Sequence, residues 1–203
     1  KAISNQKLKE YFNIPNVSDF LTKLERKEIY KHAVGKDYIF KNKITKEMIV
    51  GRLTEVDFVD DVTDSDLFTV KVLNSNERKK LPLSTCKRTQ VDIGGLYFLD
   101  NQAPLTLEEV RLTSDKKGGE YVFRDGDENE VMLPISKTKL PRSMTYVREL
   151  QGKDVFMKDH AKLVVYHCKD VKPADSFGEY QLILTDPKNS EKEHQYTLKN
   201  LII

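Results

Sequence analysis

His160, His167 and Cys168 lie close together in the sequence and offer two imidazoles and a thiol, the side chains of zinc sites and of nucleophilic catalysis. A structural zinc ion takes four such ligands, and no second cysteine stands nearby to help complete the set. If residues 163–168 form a strand, His167 and Cys168 point to opposite faces and cannot share an ion. A cysteine nucleophile would also need a positioned base and a third group to orient it. The expectation is an inert thiol beside an ordinary histidine.

Carboxylates present two further candidates. Asp125-Gly126-Asp127-Glu128-Asn129-Glu130 resembles the start of a calcium loop, with oxygen ligands at alternate positions. Glu130 then stands where that loop demands Gly, and Ser136 where it demands a bidentate Glu. A hairpin turn accounts for the segment better. Asp60-Asp61-Val62-Thr63-Asp64-Ser65-Asp66 is acidic without a recognisable ligand order and reads as a solvated loop. No Gly-x-Ser-x-Gly elbow, phosphate-binding loop or dinucleotide fingerprint occurs, and Gly118-Gly119 falls between strands with no helix after it. No catalytic residue, metal ligand or cofactor is therefore nominated.

The elements that would position any site show a period. Gly35-Lys36-Asp37-Tyr38-Ile39-Phe40-Lys41-Asn42, Gly94-Gly95-Leu96-Tyr97-Phe98-Leu99-Asp100-Asn101 and Gly152-Lys153-Asp154-Val155-Phe156-Met157-Lys158-Asp159 open alike. Their glycines are 94 − 35 = 59 and 152 − 94 = 58 residues apart. Apolar residues two apart mean a strand with one buried face. The leading glycine fits a place that a Cβ would crowd or a backbone at positive φ, and Gly35 can also end the preceding helix as a left-handed residue. A second β-prone run follows each time: Ile49 to Val56, Leu105 to Leu112 and Leu163 to Val171. A third alternates: Phe68, Val70, Val72; Tyr121, Phe123; Tyr180, Leu182, Leu184. Each third run meets a turn signal, and Asp125-Gly126 favours a hairpin with positive φ at both turn positions. Closing strands carry Leu81-Pro82 and Leu133-Pro134, and proline there predicts an edge or rim. The third copy, Tyr196 to Leu201, lacks that proline.

These signals predict a mainly β chain of three tandem small barrels or rolled sheets. The divisions fall at residues 1–33 (a helical segment), 34–90, 91–145 and 146–203. The size and strand order of each module resemble an SH3-like barrel, the shape shared by Tudor and KOW modules; the resemblance is one of fold, and no family motif accompanies it. The N-terminal segment has an N-cap at Ser18 and an apolar stripe through Phe20, Leu21, Leu24, Ile29, Tyr30, Ala33 and Val34. Its role is either to pack across the first module or to dock to another chain through its outer face, where Lys23, Arg26, Lys27 and Lys31 are the binding candidates. Met144 to Leu150 leads into the third module as either a linker strand or a helical turn.

Composition bounds what such modules can do. A chain of 203 residues with 38% apolar and 33% charged residues is globular rather than disordered. A net charge of +2 gives no overall polyanion-binding signal, though residues 1–46 hold eleven basic against five acidic residues. Cys86 and Cys168 fall in different modules and read as free thiols. No apolar stretch is long enough to span a membrane. A chain opening at Lys1 suggests trimming, so its compartment is left open between the cell surface after signal removal and the cell interior. Alternation turns most aromatics inward, while Phe98 and Phe156 break register and are the candidates for an exposed binding surface. Repetition points to a non-enzymatic binding or structural protein whose partner is a protein or surface polymer. The alternative is a nucleic-acid or chromatin-associated protein of Tudor or KOW type.

Overall fold

A computed structural model describes residues 30–58, 66–99, 103–159, 162–173, 180–198 and 201. The expected N-terminal helix, with Lys23, Arg26 and Lys27, lies outside the described residues except for its end at Tyr30. The chain is mainly β, with three antiparallel sheets and one short helix among the described residues.

Alternating apolar residues separated by turn formers give strands where the sequence calls for them. The first sheet contains β1 (Asp37–Asn42), β2 (Met48–Asp57), β3 (Leu67–Val72), β4 (Arg78–Pro82) and β5 (Cys86–Val91), in the order β4-β3-β2-β1-β5. The second contains β6 (Leu96–Tyr97), β7 (Leu105–Leu112), β8 (Gly119–Arg124) and β9 (Glu130–Pro134) in sequential order. After helix α1 (Met144–Arg148), the third contains β10 (Asp154–Asp159), β11 (Lys162–Pro173), β12 (Tyr180–Asp186) and β13 (Asn189–Thr197), also sequential. Pro82 and Pro134 end β4 and β9, both edge strands, where a missing N–H leaves no ladder bond unmade. Each passes directly into a single 3₁₀ turn, Leu83–Thr85 and Ile135–Lys137.

One backbone arrangement occurs at all three leading glycines. Gly35, Gly94 and Gly152 have φ of 86°, 84° and 80°. Their amides donate to the carbonyls of Leu53, Leu107 and Cys168, each at 2.7 Å. The amides of Leu53, Leu107 and Cys168 donate back to Lys36, Gly95 and Lys153 at 3.0, 3.0 and 2.8 Å. A bulge follows at once in each second strand, between Leu53 and Glu55, Leu107 and Glu109, and Cys168 and Asp170. Tyr38, Tyr97 and Val155, three residues after the glycines, are all buried. Of the two reasons expected for glycine, positive φ holds and crowding does not. A Cβ at any of the three would meet nothing within 4 Å, so left-handed backbone rather than crowding selects it. The Asp125-Gly126 turn also differs: the loop runs to Asn129, and its left-handed residue is Glu128 at φ 63°.

Met144 to Leu150 resolves as the helical turn. Ser143 caps α1, its Oγ accepting from the Tyr146 amide at 3.0 Å. The same hydroxyl donates to Asp92 Oδ2, which lies just before β6.

Apolar side chains gather in three clusters that follow the sheets but cross the expected module boundaries. The first holds Tyr30, Ala33, Tyr38, Phe40, Leu53, Phe68 and Val70, and also Phe156 from β10. The second joins Ile39, Met48 and Val91, on the outer face of the first sheet, to Tyr97, Leu105, Leu107, Tyr121 and Phe123 of the second. The third packs α1 residues Tyr146 and Val147 against Val155, Met157, Cys168, Leu182 and Leu184. The β1 residue facing away from its own cluster, Ile39, is thus covered by the second sheet, and its β10 counterpart Phe156 by the first.

Candidate functional site

The outer face of the first sheet meets the second sheet and the segment after it, and together they enclose a cleft of about 430 Å³. Ile39 and Met48 from the first sheet, Tyr121 from the second, and Ile135 and Leu140 from the 3₁₀ turn and segment that follow β9 give it an apolar lining. The Met48 amide donates to the Lys116 carbonyl at 2.8 Å and ties the two sides together at one end. Such a volume lies within the about 300–1,000 Å³ of small-ligand pockets.

Four lysines stand round this lining. β1 carries Lys41 and β5 carries Lys87; the turn before β8 carries Lys117, and the segment after the second 3₁₀ turn carries Lys139. All four are exposed, and among the described residues no carboxylate lines the cleft. None of the four has a carboxylate within 4 Å among the described residues. Asp115 is close to Lys117 but is committed to its own turn. Its carboxylate accepts from the Thr113 hydroxyl at 2.5 Å and from the Lys117 amide at 2.9 Å. Those bonds, chiefly the first, hold its carboxyl below the usual range.

Register sharpens this picture. Lys41 on β1 faces Lys87 on β5 directly, as Ile39 faces Thr89. Opposed residues in an antiparallel pair have Cβ atoms about 5 Å apart, and like charges there repel. Several other surface cations have acidic partners: Arg52 with Asp37 at 2.9 Å, Lys80 with Asp57 at 3.4 Å, and Arg124 with Glu108 at 2.5 Å.

Two other depressions lack this asymmetry. One of about 230 Å³ lies between Lys31, His32, Lys36, Tyr146, Glu149 and Asp154. There Lys36 reaches Glu149 at 3.4 Å and lies 5.3 Å from the Tyr146 ring centre, so its charge is already engaged. Another, about 550 Å³, follows the polar Asn74–Asn76 turn beside Arg52, which is held by Asp37.

Of the residues nominated from sequence, Lys31 is exposed beside the 230 Å³ depression. Phe98 is half-buried. Phe156 is not an exposed aromatic: it is 7% accessible and packs in the first cluster, with the His32 ring edge-on at 5.8 Å. It does face away from Val155 and Met157, but another part of the chain covers it. The aromatics of the first sheet form no open cage either. Arg88 fills that place, with its guanidinium 5.3, 5.9 and 5.6 Å from the rings of Tyr30, Tyr38 and Phe68.

Cys86 and Cys168 are free, and burial raises both thiols, Cys168 to about 11. His167 contacts Asp154 at 3.1 Å on the exposed face while Cys168 is buried on the other. Asp125 accepts from the amides of Asp127 and Asn129 at 2.9 and 2.8 Å, as a turn residue does.

The four cleft lysines were missed by sequence reasoning. One signal could have found two of them: Lys87 and Lys139 each stand five residues after the closing-strand proline, Pro82 and Pro134. Comparison with protein-family models gives no match, and comparison with curated proteins gives none, so a functional reading rests on the residues themselves.

Proposed function

We propose that the chain is a non-enzymatic binding or structural protein built from three tandem SH3-like modules, and that its partner is a protein or a surface polymer. The observation that carries this reading is the cleft between the first two sheets, where an apolar lining and four uncompensated lysines come together. An apolar lining supplies contact area, and fixed charges round it supply orientation and selectivity.

The modular part draws support from the matching hydrogen bonds and bulges at Gly35, Gly94 and Gly152. The strand order β4-β3-β2-β1-β5 also suits an SH3-like barrel, in which the last strand returns beside the first. The third sheet offers a trace of that return in the bridge between Met157 and Leu201. Repeated modules packed against one another create surface between them, and surface is what a binding protein uses.

The test is reconstitution. A partner crosslinked to the intact chain in its native source is purified and titrated into the purified chain by calorimetry. The reading expects one saturable isotherm from the two components alone. Binding to nucleic acid instead, with log affinity falling by about 0.9 per phosphate neutralised per decade of salt, would transfer the chain to the Tudor- or KOW-type alternative. Turnover of a substrate would overturn the non-enzymatic reading outright.

A further inference from the structure

We propose that the cleft between the first and second sheets binds a short acidic peptide segment bearing apolar side chains, with Lys41, Lys87, Lys117 and Lys139 receiving its carboxylates. This deepens the binding reading above and rests on it.

Three observations converge on that ligand. Lys41 and Lys87 are direct cross-strand partners, an arrangement that repels unless something negative lies against it. Lys117 reaches the same cleft from the turn before β8 and Lys139 from the segment after the second 3₁₀ turn, so the charge comes from separate parts of the chain. Among the described residues no carboxylate lines the space, whereas Arg52, Lys80 and Arg124 each have an acidic partner. Electrostatics therefore asks for an anion.

The lining decides which kind. Ile135 and Leu140 are half-buried aliphatic side chains, over a floor of the buried Ile39 and Met48, and suit apolar side chains of a peptide. A nucleic acid would instead be served by exposed aromatic platforms and forked arginines. The one aromatic in the lining, Tyr121, is 2% accessible, and all four cations are lysines, which act as point charges. A volume of about 430 Å³ suits a short segment rather than a folded domain.

The Lys41–Lys87 pair makes the test selective, because one substitution should move stability and binding in opposite directions. Lys41→Glu replaces a repelling pair by an attracting one, so the melting temperature should rise or hold. The same change should weaken binding of a fluorescent alternating Glu–Leu peptide to the intact chain by about tenfold or more. Lys153→Glu, outside the cleft, should leave the affinity unchanged. Wild-type affinity should fall as salt rises.

Several results would overturn the proposal: no binding of the Glu–Leu peptide, equal binding to the Lys41→Glu chain, or a preference for DNA or heparin of matched charge that is lost in that variant. A concentration-dependent dimer abolished by Lys41→Glu would also overturn it, since the occupant would then be a second copy. The two levels separate cleanly. A purified partner that binds wild type and Lys41→Glu alike would leave the binding function standing and remove only this cleft from it.

Discussion

Gly94 is held at φ 84° with open space where its Cβ would be, so substitution there acts through the backbone alone. A β-branched side chain in that region strains the chain, and Gly94→Val should cost about 1–3 kcal/mol in urea unfolding. An unchanged midpoint would mean that the left-handed turn is not what Gly94 provides. Cys168 gives a second prediction at this scale. Its thiol is buried and neutral in the folded chain, with its pKa raised from 9.0 to about 11, chiefly by desolvation. The folded state thus keeps a proton that the unfolded state releases. The resulting stabilisation is fully present below pH 9 and is lost as the pH rises through about 11. Unfolding free energy should fall by about 1–3 kcal/mol across that range, and Cys168→Ala should flatten the slope. Tyr38, pushed up to about 12 by burial, extends the decline to higher pH. A Cys168→Ala chain with the same alkaline slope would rule the thiol out as its source.

At the scale of elements, α1 is too short to persist on its own propensity and depends on its cap and its packing. Ser143 is 1% accessible and does two things with one hydroxyl, accepting from the Tyr146 amide and donating to Asp92. Asp92 in turn donates its amide to the Tyr97 hydroxyl at 2.8 Å, so the chain just before β6 is fixed to the start of α1. Ser143→Ala should cost about 1–2 kcal/mol, and amide exchange should quicken at Tyr146. Loss confined to α1, with the Asp92 region unaffected, would show that the second bond contributes nothing. The strands were legible because a period of two is visible in residues such as Phe68, Val70 and Val72, and because Pro82 and Pro134 mark rims. The turn chemistry was legible only in part. Asp125-Gly126 marks a turn, but the five-residue loop and the left-handed Glu128 depend on the bonds that Asp125 makes to Asn129. Whether Met144 to Leu150 was strand or helix was undecided from sequence, since its distinguishing feature is a cap whose partner Asp92 is remote.

Across the whole molecule, the sheets do not keep their apolar residues to themselves. Ile39 and Phe156 occupy matching outward positions, and each is buried by another part of the chain. Alternation within one strand reveals which way such a residue points but not what covers it. For the same reason Phe156 read as exposed while the lysine cleft went unseen. Lys41 and Lys87 are far apart in sequence and become neighbours only when β5 pairs with β1. Lys117 and Lys139 join them only because Ile39, Met48 and Val91 dock on the second sheet. The central claim is that this docking builds a binding cleft from two sheets at once. Residue-resolved amide shifts, recorded while the alternating Glu–Leu peptide is titrated into the intact chain, test it most directly. The account predicts one saturable set of shifts shared by both walls, at Ile39 to Lys41 and Lys87 to Thr89 on one side and at Lys117, Gly118 and Ser136 to Leu140 on the other. Shifts confined to one sheet, or centred on Lys31, Lys36 and Lys153, would contradict it.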